Sequence, residues 1–210
     1  MMRATDICAI FAGGPENGTP CLPVPAEAYM LCADSGLRLC QRLGLRPDLV
    51  LGDFDSLGSV PESLPHMTVP VEKDDTDTLL AARVALGKGF RDIRIYGAFG
   101  GRLDHTLANI QTLEFLLEHG AEGVLVSSDN YAVLQKGGTA RSYPRIGGFS
   151  FSVFALSEQC SGVTITGTYY PLENGTLTRS FPIGVSNHIT ADSAAVSVDS
   201  GILLIVGSRL

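Results

Sequence analysis

"DIRIYGAFGGRLDHTLANIQTLEFLLEHG", residues 92–120, decides the fold. It opens as a short apolar run, "DIRIY", turns through Gly97, Gly100 and Gly101, and then carries Leu107, Ile110, Leu113 and Leu117 at spacings of three and four. That periodicity predicts an amphipathic helix, with Gly120 as its stop. A strand, a glycine-rich loop and a helix in succession form the unit from which parallel sheets are built.

Working outward, the unit recurs. "ICAIFAGG" (7–14), "AYMLCADSG" (28–36) and "LVLGDFDS" (49–56) read as earlier strands, and "GVLVSSDN" (123–130) as a later one. "GLRLCQRLG" (36–44) and "DTDTLLAARVALGKG" (75–89) read as helices, the second with Leu79, Ala82 and Leu86 on one face and Gly87 or Gly89 at its end. Residues 1–136 are therefore expected to form a doubly wound, mostly parallel α/β domain. Beyond them the period changes to two. "GGFSFSVFAL" (147–156), "GVTITGTYY" (162–170) and "AAVSVDSGILLIV" (194–206) alternate or bracket a turn, and no helical pattern intervenes. Residues 137–210 are expected to form a small antiparallel β-sandwich, joined near Gly137 and Gly138.

Composition narrows the function classes. The 210 residues are 45% hydrophobic and carry a net charge of −7, so no basic surface for nucleic acid or anionic lipid is implied. The five cysteines are scattered, without a Cys-x-x-Cys pair, and read as reduced core residues. The N-terminal apolar run is too short for a secretory core, and no stretch reaches the length of a membrane span, so a cytoplasmic protein is expected.

Chemistry-bearing residues collect where strands end, which is where parallel sheets bind ligands. Asp34 follows the second strand, Asp53 and Asp55 the third, "KDDTD" (73–77) precedes a helix, and "GGRLDH" (100–105) follows the strand quoted first. Singly, each has a structural reading: Asp75 as a helix N-cap, Asp77 as a first-turn acid, Asp53 and Asp55 in a turn, His105 as a helix-start residue. Together, Asp34, Asp53, Asp55, Asp74, Asp77 and Asp104 would repel one another without a cation among them. Oxygen-only ligands point to Mg²⁺ before Zn²⁺, and Mg²⁺ suggests a phosphate substrate. Arg102 and Lys73 are the candidate cations for it, with loop amides beside them, because no G-x-x-x-x-G-K-[ST] segment exists.

"ADSG", "RPDLVLGDFDSL", "KDDTDTLLA", "YGAFGGRLDHTLANI" and "GVSNHIT", in this order, resemble the thiamine pyrophosphokinase family from about residue 30 to the C-terminus. The resemblance implies transfer of the pyrophosphoryl group of ATP to thiamine, with Mg²⁺, by a homodimer whose active sites lie between subunits. It implies catalytic roles for Asp53, Asp55, Asp77, Arg102 and Asp104, the first three as metal ligands. Asp34, Ser56, Lys73, Asp74, Thr76, Gly101, Arg102, His105 and Asn109 would surround the nucleotide, and Ser186 and Asn187 would face thiamine. Ser35 stands where the family often has a second glycine. The chain has no Trp to stack on thiamine, leaving Tyr169, Tyr170 or Leu203 for that role. No general base is assigned. Two other readings remain: an Asp-x-Asp, metal-dependent sugar-nucleotide glycosyltransferase, and a non-catalytic nucleotide- or thiamine-binding module.

Overall fold

The computed structural model of the protein describes residues 6–15, 18–52, 64–68 and 75–210, and divides the chain into two compact units, Met1–Ser128 and Asp129–Leu210. In the first unit, β1 (Ile7–Phe11) pairs in parallel with β2 (Tyr29–Ala33) on one side and β5 (Asp92–Tyr96) on the other. Beyond β2 lie β3 (Leu49–Gly52) and β4 (His66–Thr68); beyond β5 lies β6 (Glu122–Val126). The order β4-β3-β2-β1-β5-β6 is parallel throughout, the α/β architecture expected from the alternation. Its inner strands are nearly continuous apolar runs because helices or loops must cover both faces. Phe11 stacks on Tyr96 with ring centroids 5.5 Å apart, and the Tyr96 hydroxyl donates to the Pro23 carbonyl at 3.0 Å. Burial pushes the Tyr96 phenol up to about 12. Four of the five cysteines are buried and all five are free thiols.

Among the described residues three helices accompany the sheet: α1 (Gly36–Arg42), α2 (Asp77–Gly87) and α3 (Leu103–Glu118). Their buried faces differ from the expected ones. On α2 the buried residues are Thr78, Ala81, Ala82 and Ala85, so small side chains let the helix lie close, while Leu79 and Leu86 flank the contact half-buried. On α3 they are Asn109, Thr112, Leu113 and Leu116, whereas Leu107 is exposed. A leucine-only reading of α3 rotates the helix away from its polar buried positions. Strand β4 was also not expected, since all three of its residues are exposed at a sheet edge and carry no apolar pattern.

The second unit is antiparallel and sandwich-like. β13 (Ile202–Ser208) lies between β7 (Asn130–Lys136) and β9 (Ser152–Ala155). A separate sheet runs β11-β10-β12-β8, formed by Leu172–Thr178, Gln159–Thr166, Ser193–Val198 and Thr139–Pro144. Gly137 and Gly138, expected near a domain joint, sit in the turn from β7 to β8 inside this unit. Their N–H groups donate to Gly201 O (2.7 Å) and Val198 O (2.8 Å). The division falls earlier in the chain because β7 pairs with β13 along its whole length. Gln135 ties the layers together. Its Nε2 donates to Val196 O (2.9 Å) and Thr139 O (3.2 Å), and its Oε1 accepts from the Tyr143 hydroxyl (2.8 Å). Among the described residues no helix is long and apolar enough to cross a membrane.

Candidate active site

The chain leaves β1 for β2, β3 and β4 on one side, then returns to β5 on the other. Connections therefore diverge at the carboxyl ends of β1 and β5, and divergence of this kind opens a crevice in a parallel sheet. A cleft of about 510 Å³ lies there. Residues 12–15 after β1, residues 33–35 after β2, residues 75–78 at the start of α2, residues 97, 98 and 100–102 after β5, and His105 and Asn109 of α3 line it.

Asp34 stands out chemically. Its φ of +45° is costly for a residue with a side chain, and such strain persists where the surroundings impose it. Its N–H donates to Leu51 O at 2.6 Å, which fixes the turn out of β2. Its Oδ1 is buried and has no hydrogen-bond partner among the described residues. A Cβ on Gly52 would lie 3.4 Å from that oxygen, so the missing side chain keeps the space beside the carboxylate open. An unpartnered buried carboxylate oxygen calls for a proton donor or a cation from outside. With Asp77 in the same cleft, the donor set is hard oxygen, which fits Mg²⁺. Among the described residues no three acidic, His or Cys side chains form a metal-holding group. Of the expected metal set only Asp77 is described; Asp53 and Asp55 lie outside the described residues, as do Ser56, Lys73 and Asp74.

The loop after β5 contributes backbone rather than side chains. Gly14 donates to Gly97 O at 3.1 Å, and a Cβ at Gly14 would lie 2.9 Å from Phe99 O, so this close approach of the two loops requires glycine. Gly100 and Gly101 have φ of +87° and +67°. Arg102 is the N-cap residue of α3 in position, without a side-chain cap bond. Its guanidinium forks onto Asp104 instead, with Nε 3.1 Å from Oδ1. That hydrogen-bonded pairing holds the Asp104 carboxyl below its usual range and Arg102 above its own, although both side chains are exposed. Asp104 Oδ1 also accepts from the His105 N–H at 2.9 Å.

At α2, Thr76 is the N-cap: its hydroxyl accepts from Leu79 N–H at 3.2 Å. Asp75, read above as a possible cap, pairs with Arg83 at 2.8 Å. Asp77 occupies the first turn. Thus the structure brings Asp34, Thr76, Asp77, Gly101, Arg102, His105 and Asn109 to one cleft, with Asp104 at its rim through Arg102. Residues 13–15, which the sequence offered only as a glycine pair and a proline after a strand, line it too.

In the second unit, Ser186 is exposed with φ +59° and its N–H donates to Ser152 Oγ at 3.1 Å. Asn187 is buried, and its amide pins the connection between β10 and β11. Nδ2 donates to Tyr170 O (2.8 Å), while Oδ1 accepts from the N–H groups of Tyr170 (3.0 Å) and His188 (2.9 Å). Tyr169 and Tyr170 are 59% and 65% exposed, and Tyr169 stacks on His188 at 4.9 Å. Leu203, expected as a possible stacking residue, is wholly buried in β13 and presents nothing to a ligand.

Fold and cleft together define an α/β protein with an open cleft at the carboxyl edge of a parallel sheet and a second, all-β unit. The family model for the thiamin pyrophosphokinase catalytic domain matches residues 24–125, and that for the thiamin pyrophosphokinase vitamin B1 binding domain matches residues 144–203. The thiamine pyrophosphokinase of Bacillus subtilis (strain 168) is 31% identical over 207 residues, spanning 95% of this chain and 97% of that protein. The crystal structure of the Bacillus subtilis enzyme aligns with a TM-score of 0.88 at 28% identity, covering 97% of this chain and 99% of that one. The enzyme from Geobacillus thermodenitrificans aligns with a TM-score of 0.84 at 28% identity, covering 97% and 98%. The chain belongs to the thiamine pyrophosphokinase family. Neither the glycosyltransferase nor the non-catalytic module gains support from these matches.

Proposed function

We propose that this chain transfers the pyrophosphoryl group of ATP to the primary hydroxyl of thiamine, yielding thiamine diphosphate and AMP. The observation that carries the proposal is the cleft at the β1/β5 divergence, where carboxylates, an arginine and glycine-rich backbone meet within a chain of this family. The thiamine oxygen attacks the β-phosphorus and gives up its hydroxyl proton, the bond between that phosphorus and the bridging oxygen breaks, and AMP leaves with the bridging electron pair. Negative charge grows on the bridging and non-bridging oxygens. Asp53, Asp55 and Asp77 would hold Mg²⁺, which supplies charge neutralisation at those oxygens. Gly101, Arg102 and His105 would meet the nucleotide's phosphates, with Asp34, Ser56, Lys73, Asp74, Thr76 and Asn109 around them. Arg102 exchanges an exposed pairing with Asp104 for phosphate at little cost, since exposed ion pairs are weak.

The proposal gives the first unit the ATP and Mg²⁺ functions expected of residues 1–136, and the second unit those of thiamine binding and dimerisation expected of residues 137–210. Ser186 and Asn187 shape the thiamine site, Asn187 by holding Tyr170 in place. Exposed Tyr169, Tyr170, Phe181, Ile183 and Val185 give the second unit apolar surface suited to a ring and to a second subunit. A cytoplasmic location suits five free thiols. Purified protein given ATP, Mg²⁺ and thiamine should form thiamine diphosphate and AMP in equal amounts. AMP formed without thiamine diphosphate would overturn the assignment of the acceptor.

A further inference from the structure

We propose that Asn109 is a positioning residue that sets the polarity of the loop after β5, turning its carbonyls into the protein so that its amides are left for an anion. This role rests on ATP phosphates occupying the cleft, as proposed above, and adds what prepares the loop for them. Three consecutive carbonyls face protein. Gly97 O accepts from Gly14 N–H at 3.1 Å, Ala98 O accepts from Asn109 Nδ2 at 2.7 Å, and Phe99 O lies against the Gly14 backbone. A trans peptide holds its C=O and the following N–H in opposite directions. The N–H groups of Ala98, Phe99 and Gly100 therefore point away from those contacts. None of them, nor that of Gly101, has an acceptor among the described residues.

Unmatched backbone donors in a row, with Gly100 and Gly101 in the left-handed region, form the kind of concavity that binds anions. Ala98 is buried and Phe99 half-buried, and N–H groups so placed are nearly always paired, which calls for an acceptor beyond the described residues, while Gly100 and Gly101 are exposed and leave their N–H groups accessible. Asn109 is the one side chain in this arrangement. It is 7% exposed and spans eleven residues of sequence to reach Ala98. The contact links the body of α3 to the loop, so Asn109 acts on the phosphates through Ala98 and not by touching them. The Gly14 contact is made by backbone and survives substitution at 109.

The experiment compares wild type with Asn109→Asp, which has nearly the same shape but, ionised, sets a carboxylate against Ala98 O. KM for ATP should rise about tenfold or more while KM for thiamine stays within about twofold. Calorimetric titration should show Mg²⁺-tripolyphosphate weakened by the same factor as MgATP, with adenosine unaffected. Thermal melts establish that the variant is folded; if it is not, Asn109→Leu removes the donor without adding charge and is measured in the same way. Equal rises in both KM values, no rise in either, or adenosine weakened as much as tripolyphosphate would each overturn the positioning role. The titrations need no turnover. A protein with no thiamine-dependent activity but with tripolyphosphate binding sensitive to residue 109 would therefore overturn the proposed reaction and leave this inference standing.

Discussion

At the carboxyl edge of the first unit's sheet, polar groups are left open; inside the second unit they are closed. Asp34 holds a buried oxygen without a partner, and residues 98–101 present amides without acceptors, among the described residues. Gln135, by contrast, is fully buried with three hydrogen bonds, and Asn187 is nearly so with three. The two regions are equally polar in kind, but only one asks for something from outside. Satisfied buried networks specify packing, while unsatisfied ones mark where a ligand completes the structure.

Substitutions of the carboxylates proposed to hold Mg²⁺ should remove chemistry and leave the fold. Asp55→Asn and Asp77→Asn should each lower kcat by at least about a hundredfold, the scale for losing one charge-stabilising group, with little change in Tm. A large loss of stability in either would break the comparison. The closed interior should behave in the opposite sense: Gln135→Leu removes the hydrogen bonds to the Tyr143 hydroxyl and to Val196 O and should cost about 2 kcal/mol in urea unfolding while kcat stays near wild type. Thr76 combines an open and a closed role within the first unit, since it lines the cleft and caps α2. Thr76→Ala should lower stability by about 1 kcal/mol, and the unfolding midpoint tests how much of its role is the cap. The smallest effect should come from Asp75→Asn. Its pairing with Arg83 is partly exposed, so unfolding free energy should change by no more than about 0.5 kcal/mol.

The order of strands and helices was legible because apolar runs and glycine stops punctuate the first half of the chain. Where the pattern misled, specific physics intervened. Alanines, not leucines, bring α2 against the sheet, and on α3 Asn109 and Thr112 occupy buried positions that a hydrophobic pattern assigns to the surface. The stretch around Asp199 reads as two strands and forms them, β12 and β13, but their pairing with different partners was not legible, since a turn signal does not say which sheet the chain enters next. The cleft residues Asp34, Asp77, Arg102 and His105 were visible as polar residues at strand or helix ends. Gly13, Gly14 and Pro15 were not, because a backbone surface leaves no functional group in the sequence. Asn109 was legible as part of a motif, but its contact with Ala98 belongs to the folded loop alone.

The most direct test of the account is AMP release from ATP and Mg²⁺, with and without thiamine, by wild type and by Asp55→Asn. Thiamine-dependent AMP from the wild type, reduced at least about a hundredfold in the variant, is the predicted result. Wild-type AMP release indifferent to thiamine, or near-normal turnover by Asp55→Asn, would contradict it.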